Sequence, residues 1–209
     1  MEYAIVFLPL LGAFITGIFG RLIDDKLCQV LTSLLVLIST ILSFIIFYEV
    51  LINDYTSNKL IFKWINSGKF IANWSINIDA LTAVMLVVVT LVSFVIHVYS
   101  IGYMSSDQHI PRFMSYLSLF TFAMLTLVTA DNFLQLFFGW EGVGLCSYLL
   151  IGFWYKRPSA NAAAIKAFIV NRVGDFGFAI GIFLIFLYFG TVNYNEVFQQ
   201  IPLFAQENI

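Results

Sequence analysis

Long unbroken runs of apolar residues constrain this chain more than any other feature of its sequence. Several runs reach about 20 residues, the length that an α-helix needs to cross roughly 30 Å of hydrocarbon. Hydrophobic residues make up 61% of the chain and charged residues 11%, whereas a soluble domain carries about a quarter charged residues. These runs predict an all-α integral membrane protein that crosses the bilayer several times.

Hydropathy predicts six membrane-spanning helices. The first run has neither a basic segment before it nor an Ala-x-Ala cleavage site after it, so we interpret it as a retained helix rather than a signal peptide. A short surface helix is expected in the polar stretch 194–200. The predicted spans are residues 3–20, 27–51, 80–103, 111–130, 132–154 and 160–189.

The linker between the second and third spans has a different periodicity. From Phe70 to Ile78 apolar residues alternate with polar ones, which is typical of a half-buried strand. Residues 66–69 (Asn-Ser-Gly-Lys) have the composition of a turn, and residues 61–65 are the expected partner strand. The linker is therefore predicted to form a β-hairpin on one face of the membrane.

Three residues stand where a side chain can accept hydrogen bonds from the first amide groups of a helix. Asp79 precedes the third span, Asp131 precedes the fifth, and Ser159 begins the sixth after Pro158. Short polar side chains favour helix starts at such positions. We therefore interpret both aspartates as capping residues rather than catalytic ones.

Net charge and cysteine spacing argue against several other classes of function. A formal net charge of −2, with no Lys/Arg cluster, argues against a nucleic-acid partner. Cys28 and Cys146 lie in or beside apolar segments and lack the spacing of metal ligands. A role as small apolar fillers is favoured over a disulfide or a metal site.

Basic residues in the loops predict the orientation of the helices, because cytoplasmic loops carry an excess of Lys and Arg. With the N-terminus outside, six basic residues lie on the cytoplasmic side and three on the periplasmic side. This difference favours the orientation with the hairpin in the periplasm. The six are Arg21, Lys26, Arg112, Lys156, Arg157 and Lys166, and the three are Lys59, Lys63 and Lys69.

Glu141 is the one charged residue in the apolar run 133–153 and lies near its middle. An acid at that depth costs about 2.5–3.5 kcal/mol on insertion scales, and such acids often serve in proton relays. The alternative is a permanently protonated Glu that makes one interhelical hydrogen bond. Gln would serve that purpose without ionising, so a relay is favoured. The nearby Gly139, Gly142 and Gly144 offer a groove that a helix or water can approach closely.

The sixth span holds three further charged residues, Lys166, Arg172 and Asp175, which join Glu141 as candidates for a proton pathway. Arg172 and Asp175 are three positions apart and can pair along one helix face. This pair either neutralises itself and fixes helix packing or belongs to a hydrated path. Antiparallel packing of the fifth and sixth spans is expected to bring Glu141 and Arg172 to similar depths.

His97, toward the cytoplasmic end of the third span, is a weaker candidate for the proton pathway. A single His near a membrane interface is more often a satisfied polar group than a relay. The sequence shows no Ser/His/Asp set and no motif for a flavin, an iron–sulfur cluster or a nicotinamide. No catalytic, cofactor-binding or metal-binding residue is therefore expected in this chain itself.

Several blocks of residues resemble one family, the chain 5 (subunit L) family of NADH:quinone oxidoreductase, which is respiratory complex I. The most specific block runs from Asp131 to Asp175 and includes the segment GWEGVGLCSYLLIGF at residues 139–153. The resemblance covers essentially the whole chain. Similar blocks are HVYSIGYM at 97–104, Arg-Phe at 112–113, AAAIKAF at 162–168 and NRVGD at 171–175.

The resemblance implies an antiporter-like core of fourteen helices with two inverted five-helix repeats, related to the large subunits of multi-subunit Na⁺/H⁺ antiporters. It implies that Glu141 communicates with a lysine on the next helix in sequence and that protons continue through a central lysine to the periplasm. NADH, FMN, iron–sulfur clusters and quinone are expected in partner subunits. The expected partners are other membrane-arm subunits and the lipid bilayer.

The same resemblance divides the chain into four regions. Residues 1–60 are an N-terminal helix hairpin, 61–130 the chain 5 N-terminal region, 131–189 the start of the antiporter-like proton-translocating domain, and 190–209 a polar tail. The later helices of the family are not in this sequence. The chain is therefore expected to be a fragment, a truncated form, or one product of a split gene whose second chain supplies the missing helices.

Three functions of different classes stay open. The favoured one is a proton-translocating membrane-arm subunit that couples NADH oxidation by quinone to proton pumping. The others are a component of a multi-subunit Na⁺/H⁺ antiporter without redox partners and a truncated remnant that pumps nothing. The bacterial inner membrane is the expected location, with the mitochondrial inner membrane as the alternative.

The predicted orientation can be tested by site-specific labelling. A cysteine introduced at Asn66 or Ser67, in the predicted hairpin turn, is expected to react with a membrane-impermeant thiol reagent added from the periplasmic side. Labelling from the cytoplasmic side would contradict the orientation.

Overall fold

The computed structural model describes residues 1–207, with side chains through residue 202. Within this part of the chain, six helices are long and apolar enough to cross a membrane, which confirms the predicted all-α membrane fold with a β-hairpin. In chain order the elements are α1 (Glu2–Phe19), α2 (Asp25–Asn53), β1 (Ser57–Ser67), β2 (Phe70–Ile78), α3 (Ala80–Tyr103), α4 (Ile110–Val128), α5 (Phe133–Ile151), α6 (Pro158–Phe189) and α7 (Tyr194–Glu207).

The bounds of these elements differ from the predicted ones by small amounts. The third span has the predicted bounds, whereas the surface helix α7 continues well past residue 200 to Glu207. α6 ends at Phe189, and the following Gly190 caps it with a left-handed φ of 69°, a conformation that glycine adopts without the steric cost of a Cβ atom.

Helices α1 to α4 form a bundle, and α5 and α6 extend it to one side. α1 packs against α2 and α4, α2 against α3, α4 against α5, and α5 against α6. α5 approaches α4 closely at Gly139, where a Cβ atom would lie 2.7 Å from the Leu127 backbone. Most of the α6 surface is exposed, since α6 packs mainly on α5.

Hydroxyl side chains supply polar contacts between the apolar helices. Ser115 of α4 donates to the Ala13 carbonyl of α1 at 2.8 Å. Thr40 of α2 donates to the Thr90 carbonyl of α3 at 3.0 Å. No water is available to polar groups in hydrocarbon, so they must find partners inside the protein. These bonds fix helix pairs that apolar packing would otherwise allow to slide.

Strands β1 and β2 pair antiparallel in the predicted hairpin, from Ser57 opposite Ile78 to Ser67 opposite Phe70. Gly68 at the turn has a φ of 60°, which suits glycine. β2 has the predicted bounds, but β1 spans eleven residues rather than the predicted 61–65. The sequence of β1 lacks a clean alternation, and the pairing shifts register twice along it, so periodicity detected just its central part.

Side chains at the start of α5 attach the hairpin to the bundle. Gln135 receives the Ser75 amide at 3.0 Å and donates to the Ser75 carbonyl at 2.8 Å. Asn132 donates to the Asn73 carbonyl at 2.8 Å. These two side chains therefore form hydrogen bonds with backbone N–H and C=O groups of β2, as a neighbouring strand would.

The predicted helix caps give one confirmation and two corrections. Asp79 accepts the Thr82 amide at 2.7 Å and caps α3 as predicted. The prediction for Asp131 is wrong, because the next residue, Asn132, caps α5 by accepting the Gln135 amide at 2.8 Å. Asp131 instead accepts a hydrogen bond from the side-chain amide of Asn132 and so orients that capping side chain.

The prediction for Ser159 is also wrong. α6 begins at Pro158, and Arg157 precedes it, so Ser159 already lies inside the first turn. Pro suits the first helical position because that position needs no amide donor.

Glu2 joins the first helix to the hairpin. Its side chain is 3% exposed, accepts from Tyr55 at 2.6 Å and from Ser57 at 3.3 Å, and lies 3.2 Å from Lys59 Nζ. The N-terminus of α1 and the first strand therefore lie at the same end of the bundle, in agreement with the predicted topology in which both are on one side of the membrane.

Capping predicts a difference between two otherwise similar substitutions. Asp79→Ala removes the acceptor of the Thr82 amide, and it is expected to lower stability by about 1 kcal/mol. Ser159→Ala is the matched control and is expected to leave the unfolding temperature unchanged. Thermal unfolding of the detergent-solubilised variants measures both. Equal unfolding temperatures for the two variants would contradict the assignment.

Candidate functional site: an ion cluster between α5 and α6

Glu141 lies near the middle of α5 and faces α6. Its Oε2 atom accepts a short charge-assisted hydrogen bond from Arg172 Nη1, so the expectation that the two residues lie at similar depths is confirmed. The Glu141 side chain is 24% exposed. Its second oxygen, Oε1, is buried and has no hydrogen-bond partner among the described residues. One carboxylate oxygen is thus fixed, and the other has unused acceptor capacity.

Arg172 also pairs with Asp175, as the spacing predicted. Arg172 Nη1 lies 3.6 Å from Asp175 Oδ2. The other carboxylate oxygen of Asp175 accepts a bond from the Trp140 indole at 2.9 Å. Arg172 therefore bridges two carboxylates from two helices, and the three charges sum to −1.

An aromatic ring completes the environment of the guanidinium. The Arg172 Cζ atom lies over the ring of Phe168, 4.7 Å from the ring centroid. A cation over a ring face is stabilised by the ring quadrupole. This contact holds the guanidinium in one orientation while half of its side chain remains exposed, at 48%.

A cavity of about 560 Å³ opens beside the cluster. Glu141, Arg172 and Asp175 all line it, together with Ser147 and Asn171. A water molecule occupies about 30 Å³ in the liquid, and it enters cavities that offer polar partners. The cavity therefore has both the room and the polar lining for several waters at the depth of the carboxylates.

The three glycines predicted to form a groove around Glu141 serve two different surfaces. Gly139 lies against Leu127 of α4, and a Cβ atom on Gly142 would lie 3.2 Å from Ala123 of the same helix. Gly144 has no such neighbour among the described residues and lines the cavity. Two of the glycines thus permit close packing of α4 on α5, and the third widens the cavity.

Two predicted pathway residues lie apart from the cluster. Lys166 is exposed on α6, and it forms no ion pair within the part of the chain that the structure describes. Its place in a proton pathway stays a prediction.

His97 is fully buried between α3 and α4. Its Nδ1 atom lies 2.8 Å from the Ser93 carbonyl and its Nε2 atom 3.0 Å from Ser118 Oγ. The carbonyl requires a proton on Nδ1, which leaves Nε2 to accept from the serine. This arrangement is complete for a neutral imidazole and ties α3 to α4, while a role in proton transfer stays a prediction.

Sequence reasoning missed Trp140 and Phe168. An indole N–H in an apolar span needs an acceptor, so Trp140 beside Glu141 was a signal that a second polar group lies nearby. Phe168 is four residues before Arg172 and lies on the same helix face. Both signals were present in the sequence, but neither identifies its partner without the packing of α5 on α6.

Two family descriptions match this chain. Residues 64–114 match the one described as NADH-ubiquinone oxidoreductase (complex I), chain 5 N-terminus. Residues 130–209 match the one described as NADH:quinone oxidoreductase/Mrp antiporter, transmembrane. The chain belongs to the chain 5 (subunit L) family of complex I. The ion cluster between α5 and α6 lies within the second matched region.

Relatives from both bacteria and eukaryotes support this membership. The chain is 53% identical to NADH-ubiquinone oxidoreductase chain 5 of Chondrus crispus, over 99% of this chain and 31% of that protein. It is 53% identical to NADH-quinone oxidoreductase subunit L of Rickettsia bellii, over 98% of this chain and 32% of that protein. The chain thus spans about a third of the length of these curated relatives.

Two solved structures share the fold at low sequence identity. The Mrp complex from Dietzia contains a chain with a TM-score of 0.79 and 20% identity, matched over 94% of this chain and 20% of that one. An archaeal membrane-bound sulfane sulfur reductase contains one with a TM-score of 0.76 and 19% identity, matched over 94% and 39%. Members of this fold therefore occur in multi-subunit membrane complexes.

The bridging position of Arg172 predicts energetic coupling to Asp175. Removing one charge leaves the other unpaired in a medium of low dielectric constant. Each single substitution should therefore lower the unfolding free energy by more than the ion pair itself contributes to it. Arg172→Gln and Asp175→Asn are expected to be non-additive by about 0.5–3 kcal/mol in unfolding free energy. We choose neutralisation over charge reversal, because an acid at position 172 would face Glu141.

Lys166→Gln combined with Asp175→Asn is the matched control. Positions 166 and 175 are separated by about 13 Å along the helix axis, so this pair is expected to be additive. Additive effects in both pairs would contradict the coupling of Arg172 and Asp175.

Proposed function

We propose that this chain contributes to proton translocation by NADH:quinone oxidoreductase and that Glu141 takes up and releases the proton. The observation that carries the proposal is the carboxylate itself. One of its oxygens is bound to Arg172, and the other is buried and without a hydrogen-bond partner among residues 1–202. That second oxygen is the atom on which a proton would reside.

Arg172 would act as a counter-ion to two carboxylates, those of Glu141 and Asp175. When Glu141 is deprotonated, the guanidinium stabilises its charge. When Glu141 is protonated, the same guanidinium still has Asp175 within 3.6 Å. The Arg172 charge is therefore never left without a partner, which lowers the cost of changing the charge on Glu141 inside the membrane.

The cavity provides a route for the proton to this site. Protons move along chains of hydrogen-bonded water and side chains, and the cavity places Ser147 and Asn171 on the same lining as the two carboxylates. Asp175 is a second carboxylate along the route, as proposed from the sequence. Lys166 lies nearer the start of α6 and would extend the path toward the end of the bundle that carries Lys156 and Arg157.

The chain would work as part of a larger assembly. Its relatives are named as subunits of NADH-quinone or NADH-ubiquinone oxidoreductase, so we propose that NADH, FMN, iron–sulfur clusters and quinone are bound by partner subunits. Other membrane-arm subunits are the proposed neighbours. The chain is a multi-pass membrane protein, and the bacterial inner membrane is its proposed location.

Replacing Glu141 tests the proposal in the assembled enzyme. Glu141→Gln keeps the size of the side chain but cannot release a proton, and it is expected to lower NADH-driven proton transport about a hundredfold. Glu141→Asp is expected to retain more transport because it still ionises. Proton uptake into reconstituted vesicles measures the effect, and a native gel measures assembly.

Glu49→Gln is the matched control, because Glu49 bonds to Asn53 near the end of α2 and lies outside the cluster. Wild-type transport by a fully assembled Glu141→Gln variant would leave Glu141 a packing residue. Transport that requires Na⁺ and proceeds without NADH would favour the antiporter alternative.

A further inference from the structure

A separate cavity opens away from Glu141, at the end of the bundle that carries Arg21 and Arg112. Its volume is about 650 Å³, and it lies between the end of α1, the turn after it, and the start of α4. Two guanidinium groups line it, those of Arg21 and Arg112, together with Gln108, His109 and one carboxylate, Asp25. The charges of Arg21, Arg112 and Asp25 sum to +1.

The Arg112 guanidinium is held in place by one hydrogen bond and two aromatic rings. Its Nη2 atom donates to the Phe153 carbonyl at 3.0 Å, and its Cζ atom lies 4.5 Å from the Phe153 ring centroid and 5.3 Å from that of Tyr155. Its Nε atom is buried without a hydrogen-bond partner, and no carboxylate of the described residues pairs with it. The Arg112 guanidinium nevertheless lines the cavity, and an oriented guanidinium without a carboxylate partner is suited to an anion.

The nearby carboxylate of Asp107 forms no ion pair with Arg112. The Asp107 carboxylate accepts the Trp154 indole at 2.9 Å and the His109 amide at 2.8 Å. Burial by itself would raise the pKa of Asp107, but these two hydrogen bonds, together with the nearby charges of His109 and Arg112, outweigh it and hold the pKa below its ordinary value. The ionised carboxylate is thus engaged in the loop before α4.

An apolar groove continues from the same arginine toward the membrane. A cavity of about 410 Å³ shares Arg112, Tyr116 and Tyr155 with the first one. It extends between α5 and α6 along Leu149 and Ile165. A basic polar cavity therefore adjoins an apolar slot at the end of the transmembrane helices, a combination that matches the headgroup and acyl chain of a phospholipid.

We propose that this paired cavity binds one anionic phospholipid. The lipid phosphate would accept from Arg112 and Arg21, and one acyl chain would lie along Leu149 and Ile165. Basic pockets between helices on the cytoplasmic side favour anionic headgroups, which are abundant in that leaflet, and the positive-inside rule predicts that this end is cytoplasmic. The site is independent of proton transfer at Glu141.

Native mass spectrometry of the full chain, with the subunits that copurify, tests the proposal. The protein is exposed to phosphatidylglycerol, to phosphatidylcholine with the same acyl chains, or to inorganic phosphate. We expect a retained phosphatidylglycerol adduct, little phosphatidylcholine, and no displacement by millimolar phosphate. Arg112→Gln is expected to weaken phosphatidylglycerol binding about tenfold, since it removes a charge-assisted contact.

Two further variants keep the test decisive if Arg112→Gln fails to fold. Arg21→Gln alters an exposed residue and is expected to weaken binding several-fold. Ile165→Trp fills the groove from a side chain that is 51% exposed and is expected to displace the acyl chain. Arg157→Gln is the matched control, because Arg157 stacks on Trp154 at 5.0 Å and lines neither cavity.

The proposal is wrong if phosphatidylcholine binds as well as phosphatidylglycerol, or if Arg21→Gln and Ile165→Trp both bind phosphatidylglycerol like the wild type. Displacement of the lipid by inorganic phosphate would identify the occupant as a free anion and would also overturn it.

Discussion

The bridging of Glu141 and Asp175 by Arg172 is the interaction on which the arrangement of α5 and α6 depends. α6 buries little of its surface, and apolar side chains gain little by leaving lipid for another apolar helix. Charged groups behave differently, because in hydrocarbon each must find a partner inside the protein. The ion cluster therefore fixes the register of α6 against α5, and it also places two carboxylates beside one cavity.

The position of α5 is set at two other points. At its start, Gln135 completes the backbone of β2, and Asn132 caps the helix. Farther along, Gly139 lets the helix lie against the Leu127 backbone of α4. These contacts determine which face of α5 meets α4, so Glu141 is turned toward α6. The hairpin thereby influences the site although it contributes no residue to it.

Sequence periodicity predicted the parts of the fold in which one residue type dominates. The bounds of α3 and β2 agree with the prediction because long apolar runs and strict alternation leave few alternatives. The capping predictions show the limit of local patterns. Asp131 and Asn132 are adjacent and both can cap a helix, and the choice between them depended on the tertiary contact of Asn132 with Asn73.

The sequence by itself determined that the chain spans a membrane, that an acid lies near the middle of one span, and that Arg172 and Asp175 share a helix face. Hydropathy and helix periodicity are properties of neighbouring residues, so these conclusions needed no packing. The tertiary structure decided which groups meet across helices: Trp140 with Asp175, and Glu2 with the hairpin. Such contacts depend on how each helix is rotated and how far it is shifted, and no local pattern records either quantity.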